Sequence, residues 1–121
     1  MIKGIAFASV YTTDFAVAYK FYSEALGLEK QFDMGDNACF FSLSDDSGLY
    51  LQGGNKPCEH NHDTQRCGFV LSVDSAGEWH GRLKAAGVRF VHDEPLHMGD
   101  ENYWFQFYDP TGNILEILGS K

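Results

Sequence analysis

The stretch Phe107–Gly119, FYDPTGNILEILG, contains the pattern from which the fold can be predicted. Asp109 and Gly112 stand three residues apart, a spacing typical of a tight reversal between strands. Apolar runs flank the turn, so the sequence predicts two strands joined by it. One acid, Glu116, lies inside the second run, and a carboxylate in an apolar strand needs either a functional role or a structural partner.

An earlier part of the chain resembles this strand pair. Residues 38–54 read ACFFSLSDDSGLYLQGG, and the turn DDSG at Asp45–Gly48 has the same spacing of acid and glycine as DPTG at Asp109–Gly112. Counting from the two turn glycines makes Gln52 the counterpart of Glu116. The sequence therefore predicts that these two positions are equivalent in a duplicated structure.

A helix is predicted before each strand pair. The first helix begins at the N-cap Asp14 and ends at Gly27. The second begins at Ser75, which has Glu78 in the capping-box position, and ends at Gly87. The apolar stripes are predicted to be Val17, Phe21 and Ala25 with Ala18, Tyr22 and Leu26 in the first helix, and Ala76, Trp79, Leu83 and Ala86 in the second.

The order of the elements indicates the fold class. Strands are predicted before each helix, at residues 5–10 and 68–73, and three more follow each helix, counting LEKQFDM and VRFVHDE. We expect an α+β fold in one domain of 121 residues, made of two modules at about residues 1–54 and 66–121. A polar loop is predicted to join them, and neither module is long enough to bury a core easily by itself.

Alternation along each strand separates two faces of the predicted sheets. One face is purely apolar and is expected to pack against the helices. The other face mixes apolar residues with one polar residue per strand, the polar set being Ser9, Gln52, Ser72, Gln106 and Glu116. We expect this face to line a partly wet concavity, with ligand-binding residues Phe7, Tyr50, Gln52, Ser72, Trp104, Gln106, Tyr108 and Glu116.

Composition narrows the classes of function. The formal net charge of −8 disfavours nucleic acid and anionic membranes as partners, because both attract Lys-rich and Arg-rich surfaces. No apolar run approaches the length of a membrane span, and the N-terminus lacks the pattern of a signal peptide. The cysteines, Cys39, Cys58 and Cys67, show no disulfide-framework spacing, so a cytoplasmic location is predicted.

Two motifs resemble a known superfamily. TTDFAVAYKFYSEALGL at Thr12–Leu28 is similar to an Asp, Phe-Tyr, Leu-Gly-Leu pattern, and FYDPTGNILEILG is similar to an Asp-Pro-x-Gly-Asn-x-x-Glu strand. Both patterns are found in the vicinal oxygen chelate superfamily, which includes glyoxalase I, bleomycin-resistance proteins, fosfomycin-resistance enzymes and extradiol dioxygenases. The resemblance implies two βαβββ modules that form an open, curved mixed-sheet barrel around a cavity, usually in a homodimer.

The resemblance also implies where metal ligands would lie. In metal-using members the ligands are His and Glu residues, one from each of four strands, and spacing places these positions at Phe7, Gln52, Gly68 and Glu116. A shift of one residue would replace Gly68 by Cys67. Divalent ions need several oxygen, nitrogen or sulfur donors, and one carboxylate with one amide does not supply them. The sequence therefore departs from the metal-binding pattern.

Three hypotheses about function follow. The first is a metal-free protein that binds an aromatic or cationic organic compound, as the drug-sequestering members of the superfamily do, with Glu116 as the anionic contact. The second is a metal-dependent lyase, transferase or dioxygenase with altered ligands, in which Cys67 or the pair His60 and His62 contributes and Glu116 is catalytic. The third is a sensor or interaction module that depends on Cys58, Cys67 and the histidines.

Other candidate residues lie in polar loops. Cys58, His60 and His62 are of the types that bind zinc, although their spacing matches no known structural zinc site and solvated loop residues are the simpler interpretation. His92, His97 and Asp100 fall in the loop before the last strand pair, from which they could reach the mouth of a pocket.

Overall fold

The computed structural model describes residues 1–3, 5–57 and 68–121. The chain divides into two compact units after residue 58, and each unit contains one four-stranded sheet. The order of elements in each unit is strand, helix and three strands, so the predicted α+β fold with two βαβββ modules is confirmed. No helix among the described residues is long and apolar enough to cross a membrane.

The N-terminal unit contains β1 (Ala8–Tyr11), α1 (Phe15–Lys20), β2 (Glu29–Asp33), β3 (Ala38–Ser42) and β4 (Gly48–Gln52). A π-helical segment, Phe21–Ala25, extends α1, and its last turn includes a hydrogen bond from the Leu26 amide to the Phe21 carbonyl. The strand order is β1-β4-β3-β2. Strand β1 pairs with β4 in parallel, whereas the other pairs are antiparallel.

The C-terminal unit contains β5 (Val70–Ser75), α2 (Ala76–Ala85), β6 (Leu96–His97), β7 (Tyr103–Tyr108) and β8 (Ile114–Ser120). The strand order β5-β8-β7-β6 repeats the topology of the first unit, with β5 parallel to β8. The predicted strand VRFVHDE is not a regular strand. It contributes only an isolated bridge from Phe90 to Phe107, and the short strand β6 follows instead.

The predicted helix boundaries agree with the structure. The Asp14 carboxylate accepts a hydrogen bond from the Val17 amide, and the Ser75 hydroxyl accepts one from the Glu78 amide, so both N-caps are confirmed. Gly27 and Gly87 follow the helices with φ of 68° and 79°, a conformation that glycine adopts without strain. Local sequence signals therefore determine both ends of each helix.

The N-terminal core lies between the helix and one face of the sheet. The Tyr19 and Tyr22 rings stack on Phe41 of β3 with centroid distances of 5.8 and 6.4 Å, and Leu49 and Leu51 of β4 are fully buried beside it. The buried stripe of the helix is Ala18, Tyr22 and Leu26, whereas Val17 is exposed. The prediction that Val17 would share the packed face was therefore wrong, because the packed stripe lies one residue further along the helix.

The C-terminal core has the same layers. Phe105, Phe107, Leu115 and Ile117 are buried beneath α2, as the alternation of β7 and β8 predicted. On the helix, Ala76 and Leu83 are buried as predicted, whereas Ala86 is exposed and His80 is buried in its place. The His80 ring stacks on Phe90 at 4.1 Å and donates from Nε2 to the His92 carbonyl, so its polar atom is satisfied.

Strand register shows which positions of the two units correspond. In the N-terminal sheet Tyr50 lies opposite Ser9 and Phe40, and in the C-terminal sheet Glu116 lies opposite Val70 and Gln106. Each hairpin closes around five turn residues, 43–47 in one and 109–113 in the other. Tyr50 is therefore the counterpart of Glu116.

The predicted equivalence of Gln52 and Glu116 was wrong by two residues. Gly48 is the first residue of β4, whereas Gly112 lies inside its turn, so counting from the glycines misaligns the strands. The glycines that do correspond are Gly53 and Gly119. An added Cβ would come within 2.5 Å of Phe15 Cβ at Gly53 and within 2.5 Å of the Val73 carbonyl at Gly119, so both allow a close approach at the start of a helix.

Candidate functional site

Each sheet has one face that packs against the helix of its own unit and one that does not, which we call the helix-free face. On the helix-free face of the C-terminal sheet, the indole Nε1 of Trp104 donates to Glu116 Oε1 at 2.9 Å. The residues lie on neighbouring antiparallel strands, where Gln106 is directly opposite Glu116. The carboxylate in the final strand thus has a neutral N–H donor fixed to one of its oxygens.

The second oxygen of Glu116 faces Gly68, just before β5. A Cβ built on Gly68 would lie 3.8 Å from Glu116 Oε2, which is ordinary contact distance. Gly68 is exposed and Glu116 is half-buried. Among the described residues no donor is hydrogen-bonded to Oε2, so this oxygen is an acceptor beside a position without a side chain.

His92 is another polar residue at this site. The sequence had placed it in a loop and not among the ligand-binding residues. Its Nδ1 accepts the backbone amide of Gln106 at 3.1 Å, and its ring lies 4.9 Å from the Trp104 ring. Because a backbone amide can only donate, the neutral ring carries its proton on Nε2. His92 lies between the bridge at Phe90 and strand β6. Its ring there accepts the hydrogen bond of a β7 amide and packs beside the indole.

Apolar side chains complete the helix-free face around the indole. Leu96 of β6 and Leu118 of β8 are both opposite Trp104 in the register, and both are exposed. Val70 is opposite Glu116 and is 48% exposed. The acid therefore lies next to an apolar row of Leu96, Trp104 and Leu118, an arrangement suited to a ligand with an apolar body and a charged end.

Two other predicted residues of this sheet lie further from the acid. Ser72 is opposite Leu118 and is exposed. Tyr108 lies at the turn end of β7, where the Arg89 guanidinium covers its ring at 4.3 Å. The structure thus brings Trp104, Gln106 and Glu116 together, and it places Ser72 and Tyr108 at the margins of the same face.

The helix-free face of the N-terminal sheet is aromatic. Phe40 of β3 is at its centre, with the rings of Phe7, Phe32 and Tyr50 at 4.9, 5.2 and 5.5 Å. Tyr11 lies 6.3 Å from Tyr50. Phe7, Tyr11 and Phe32 are each exposed by 45% or more, so these rings present aromatic surface on this face.

On this face the sequence had predicted Phe7, Tyr50, Gln52 and the polar residue Ser9. Gln52 is present, opposite Tyr11 and half-buried. Phe32 was missed because β2 contains a register shift between Lys30 and Phe32, which reverses the simple alternation. Phe40 could have been found from the sequence, since alternation within ACFFS separates it from the buried pair Cys39 and Phe41.

The described residues do not fit a divalent metal. Glu116 carries an N–H donor on one oxygen, Gly68 has no side chain, and the ring nitrogen Nδ1 of His92 is taken by a backbone amide. Within residues 1–3, 5–57 and 68–121 no group of three or more His, Cys, Asp or Glu side chains is arranged to hold an ion. A divalent ion in a protein is held by several oxygen, nitrogen or sulfur donors.

The remaining candidates divide between loops. Cys58, His60, His62 and Cys67 lie outside the described residues. His97 is exposed, and its Nε2 donates to the Asp100 carbonyl at 2.7 Å while its ring lies 4.9 Å from Tyr103. His97 and Asp100 thus have a local structural partner in the turn before β7.

Comparison with known families and structures gives one family and a consistent fold. Residues 4–117 match the family model described as the Glyoxalase/Bleomycin resistance protein/Dioxygenase superfamily. No curated protein matches the chain significantly.

Solved structures cover nearly the whole chain. A lactoylglutathione lyase from Agrobacterium tumefaciens is 21% identical, with a TM-score of 0.74 over 98% of this chain and 94% of that one. The fosfomycin resistance protein FosX from Listeria monocytogenes, complexed with Mn(II) and sulfate, is 19% identical with a TM-score of 0.75 over 100% and 95%. UcmS2 is 23% identical with a TM-score of 0.76 over 99% and 100%. At such identities the likeness establishes the fold.

Proposed function

We propose, from the premise that the chain belongs to the glyoxalase/bleomycin resistance protein/dioxygenase superfamily, that it binds a small organic cation with an aromatic body and needs no metal to do so. Glu116 contacts the cationic group, and Trp104 with its apolar neighbours contacts the aromatic body. The observation that carries the proposal is the hydrogen bond from the Trp104 indole to Glu116 Oε1, which leaves Oε2 facing Gly68.

Electrostatics and ring chemistry both favour a cation. The net charge of −8 attracts positive ligands over negative ones during encounter. An indole face attracts a cation through its quadrupole, and a charged hydrogen bond to a carboxylate is stronger than a neutral one.

Calorimetry with a matched pair of ligands tests the proposal. We expect 2-naphthylmethylammonium to bind the protein in chelator-containing buffer and 2-naphthylacetate, which has the same ring system and opposite charge, to bind at least about tenfold more weakly. The Glu116→Gln variant should lose most of this preference, because the amide has no charge. Glu101→Gln, at an exposed acid of the same unit, is the control and should behave as wild type.

Two outcomes would contradict the proposal. Equal binding of the ammonium and the acetate would show that no acid directs recognition. An unchanged preference in Glu116→Gln would show that another group does.

A metal-dependent lyase, transferase or dioxygenase is the second candidate, in which Glu116 would be a catalytic residue. It is favoured by the Mn(II) present in the FosX complex, a protein of the same fold. Metal analysis of untagged protein separates the two candidates. Stoichiometric bound metal, together with an activity that chelator removes, would support the enzyme; metal-free protein that binds the ammonium ligand supports sequestration.

The biological role that fits such binding is the sequestration of a toxic compound, because a protein that holds a drug lowers its free concentration. We propose a homodimer as the working unit, as the superfamily resemblance implies, and a soluble cytoplasmic setting. Light scattering coupled to size-exclusion chromatography measures the mass, and we expect twice the chain mass of 13.6 kDa.

A further inference from the structure

We propose that the site at Glu116 selects an ammonium group over a guanidinium or amidinium group. This inference rests on the proposed function and adds the class of cation. It follows from the two oxygens of one carboxylate, which differ in their surroundings: Oε1 accepts from the Trp104 indole at 2.9 Å, and Oε2 faces Gly68.

A guanidinium binds a carboxylate best through two parallel N–H···O bonds, one to each oxygen. At Glu116 the indole N–H already occupies Oε1, and the ring that carries it is held in place. The Trp104 ring packs against His92 at 4.9 Å, and His92 is itself bonded to the Gln106 amide. A fork-shaped cation must therefore share Oε1 with the indole, displace the indole, or bind through a single N–H, and an oxygen that already accepts one hydrogen bond is a weaker acceptor for a second.

Displacing the indole is costly, because Trp104 is half-buried and its N–H would lose its partner. An ammonium needs only one acceptor from this carboxylate, since its three N–H bonds point in different directions. Oε2 supplies that acceptor. The missing side chain at Gly68 leaves space next to this oxygen for the methylene that carries the ammonium.

The arrangement of the N–H donors on the cation is therefore the property that determines affinity at this site. A trimethylammonium group has the same charge as a primary ammonium and no N–H, so it retains attraction to the indole face but cannot donate to Oε2. We expect the order of affinity to be primary ammonium first, with both trimethylammonium and guanidinium weaker.

Three ligands with one ring system measure this order. Titration calorimetry with 2-naphthylmethyl derivatives of ammonium, trimethylammonium and guanidinium should give a dissociation constant for the ammonium that is about tenfold lower than for the guanidinium. In Trp104→Phe, which keeps an aromatic ring and removes the N–H, Oε1 becomes free. The guanidinium should then gain on the ammonium, and the ratio should fall towards one or invert.

A second measurement needs no variant. The indole N–H resonance of Trp104 in a nitrogen-15 spectrum should keep its hydrogen-bonded position when the ammonium ligand binds. Displacement of the indole would shift this resonance upfield. Retention on ammonium binding supports the inference, and loss of the hydrogen-bonded position with that ligand overturns it.

The outcomes separate this inference from the function on which it rests. If wild type binds the guanidinium as tightly as the ammonium, or if the ratio is the same in Trp104→Phe, the selectivity inference is wrong while cation binding stands. If none of the three cations binds, the proposed function fails and this inference fails with it.

Discussion

A carboxylate within a strand is stable when a donor reaches one of its oxygens, and for Glu116 that donor is the Trp104 indole. Alternation in the sequence correctly placed both residues on one face. It could not predict their hydrogen bond, because that bond depends on how β7 and β8 are registered and on the rotamers of two long side chains. The role of His92 could not be predicted for a related reason: its ring accepts the hydrogen bond of the Gln106 amide, where a strand carbonyl would otherwise do so, only in the folded chain.

Substitutions at Glu116 should separate its structural role from its binding role. In Glu116→Gln the amide oxygen can still accept from the indole, so we expect the free energy of unfolding to change by less than about 1 kcal/mol. Glu116→Ala leaves the half-buried indole N–H without this acceptor and should cost about 1–3 kcal/mol. Urea denaturation measures both values. Equal losses in the two variants would show that the indole bond does not contribute to stability.

Because of Cys39, the stability of the protein should fall as pH rises in the alkaline range. The pKa of this thiol is raised from 9.0 to about 11, mainly by burial and also by the nearby Asp33 carboxylate, whose effect is larger than the opposite effect of Lys30. The unfolded thiol ionises first, so the stabilisation is complete below about pH 9 and is lost as pH rises towards 11. We expect wild type to lose up to about 2–3 kcal/mol more than Cys39→Ala over this interval.

Denaturation curves at several pH values between 8 and 11 measure this difference, and the other titrating groups of the chain cancel in the comparison. The variant has a lower starting stability because it leaves a small cavity, so the slopes and not the absolute values are compared. Parallel slopes would contradict the assignment to Cys39.

At the scale of elements, the sequence predicted helices better than strand equivalence. Caps and stops at Asp14, Gly27, Ser75 and Gly87 are local signals that act within one or two turns, and all four were found in the structure. The structural equivalence of Tyr50 and Glu116 in the two units depends on turn geometry, and the two turns carry glycine at different positions. The Asp109 carboxylate shows this difference, since its Oδ1 accepts from the amides of Thr111, Gly112 and Asn113.

The close approach at Gly119 gives a prediction for the last strand. A Cβ there would lie 2.5 Å from the Val73 carbonyl and 3.1 Å from the Ala76 amide nitrogen, so Gly119→Ala must move backbone atoms. We expect it to destabilise the protein by about 1–3 kcal/mol. Gly81→Ala is the matched control: no atom lies within 4 Å of its Cβ position on α2, and the change should stabilise the protein by about 0.5–1 kcal/mol. Thermal denaturation compares them, and equal midpoints would contradict the packing argument.

At the scale of the whole molecule, duplication was visible in the sequence and determines the fold of each unit. Both units have the same strand order and both carry a helix-free face, but these faces differ in chemistry. One presents the rings of Phe7, Phe40 and Tyr50, and the other presents Glu116 beside Trp104. This division could be predicted from the alternation of apolar and polar residues, whereas Phe32 could not, since its face depends on an irregularity in β2.

The most direct test of the account is titration of metal-stripped protein, in buffer containing chelator, with 2-naphthylmethylammonium. The account predicts saturable binding that persists without metal and weakens at least about tenfold in Glu116→Gln. Binding that appears only after a divalent ion is restored, or that is the same in wild type and Glu116→Gln, would contradict it.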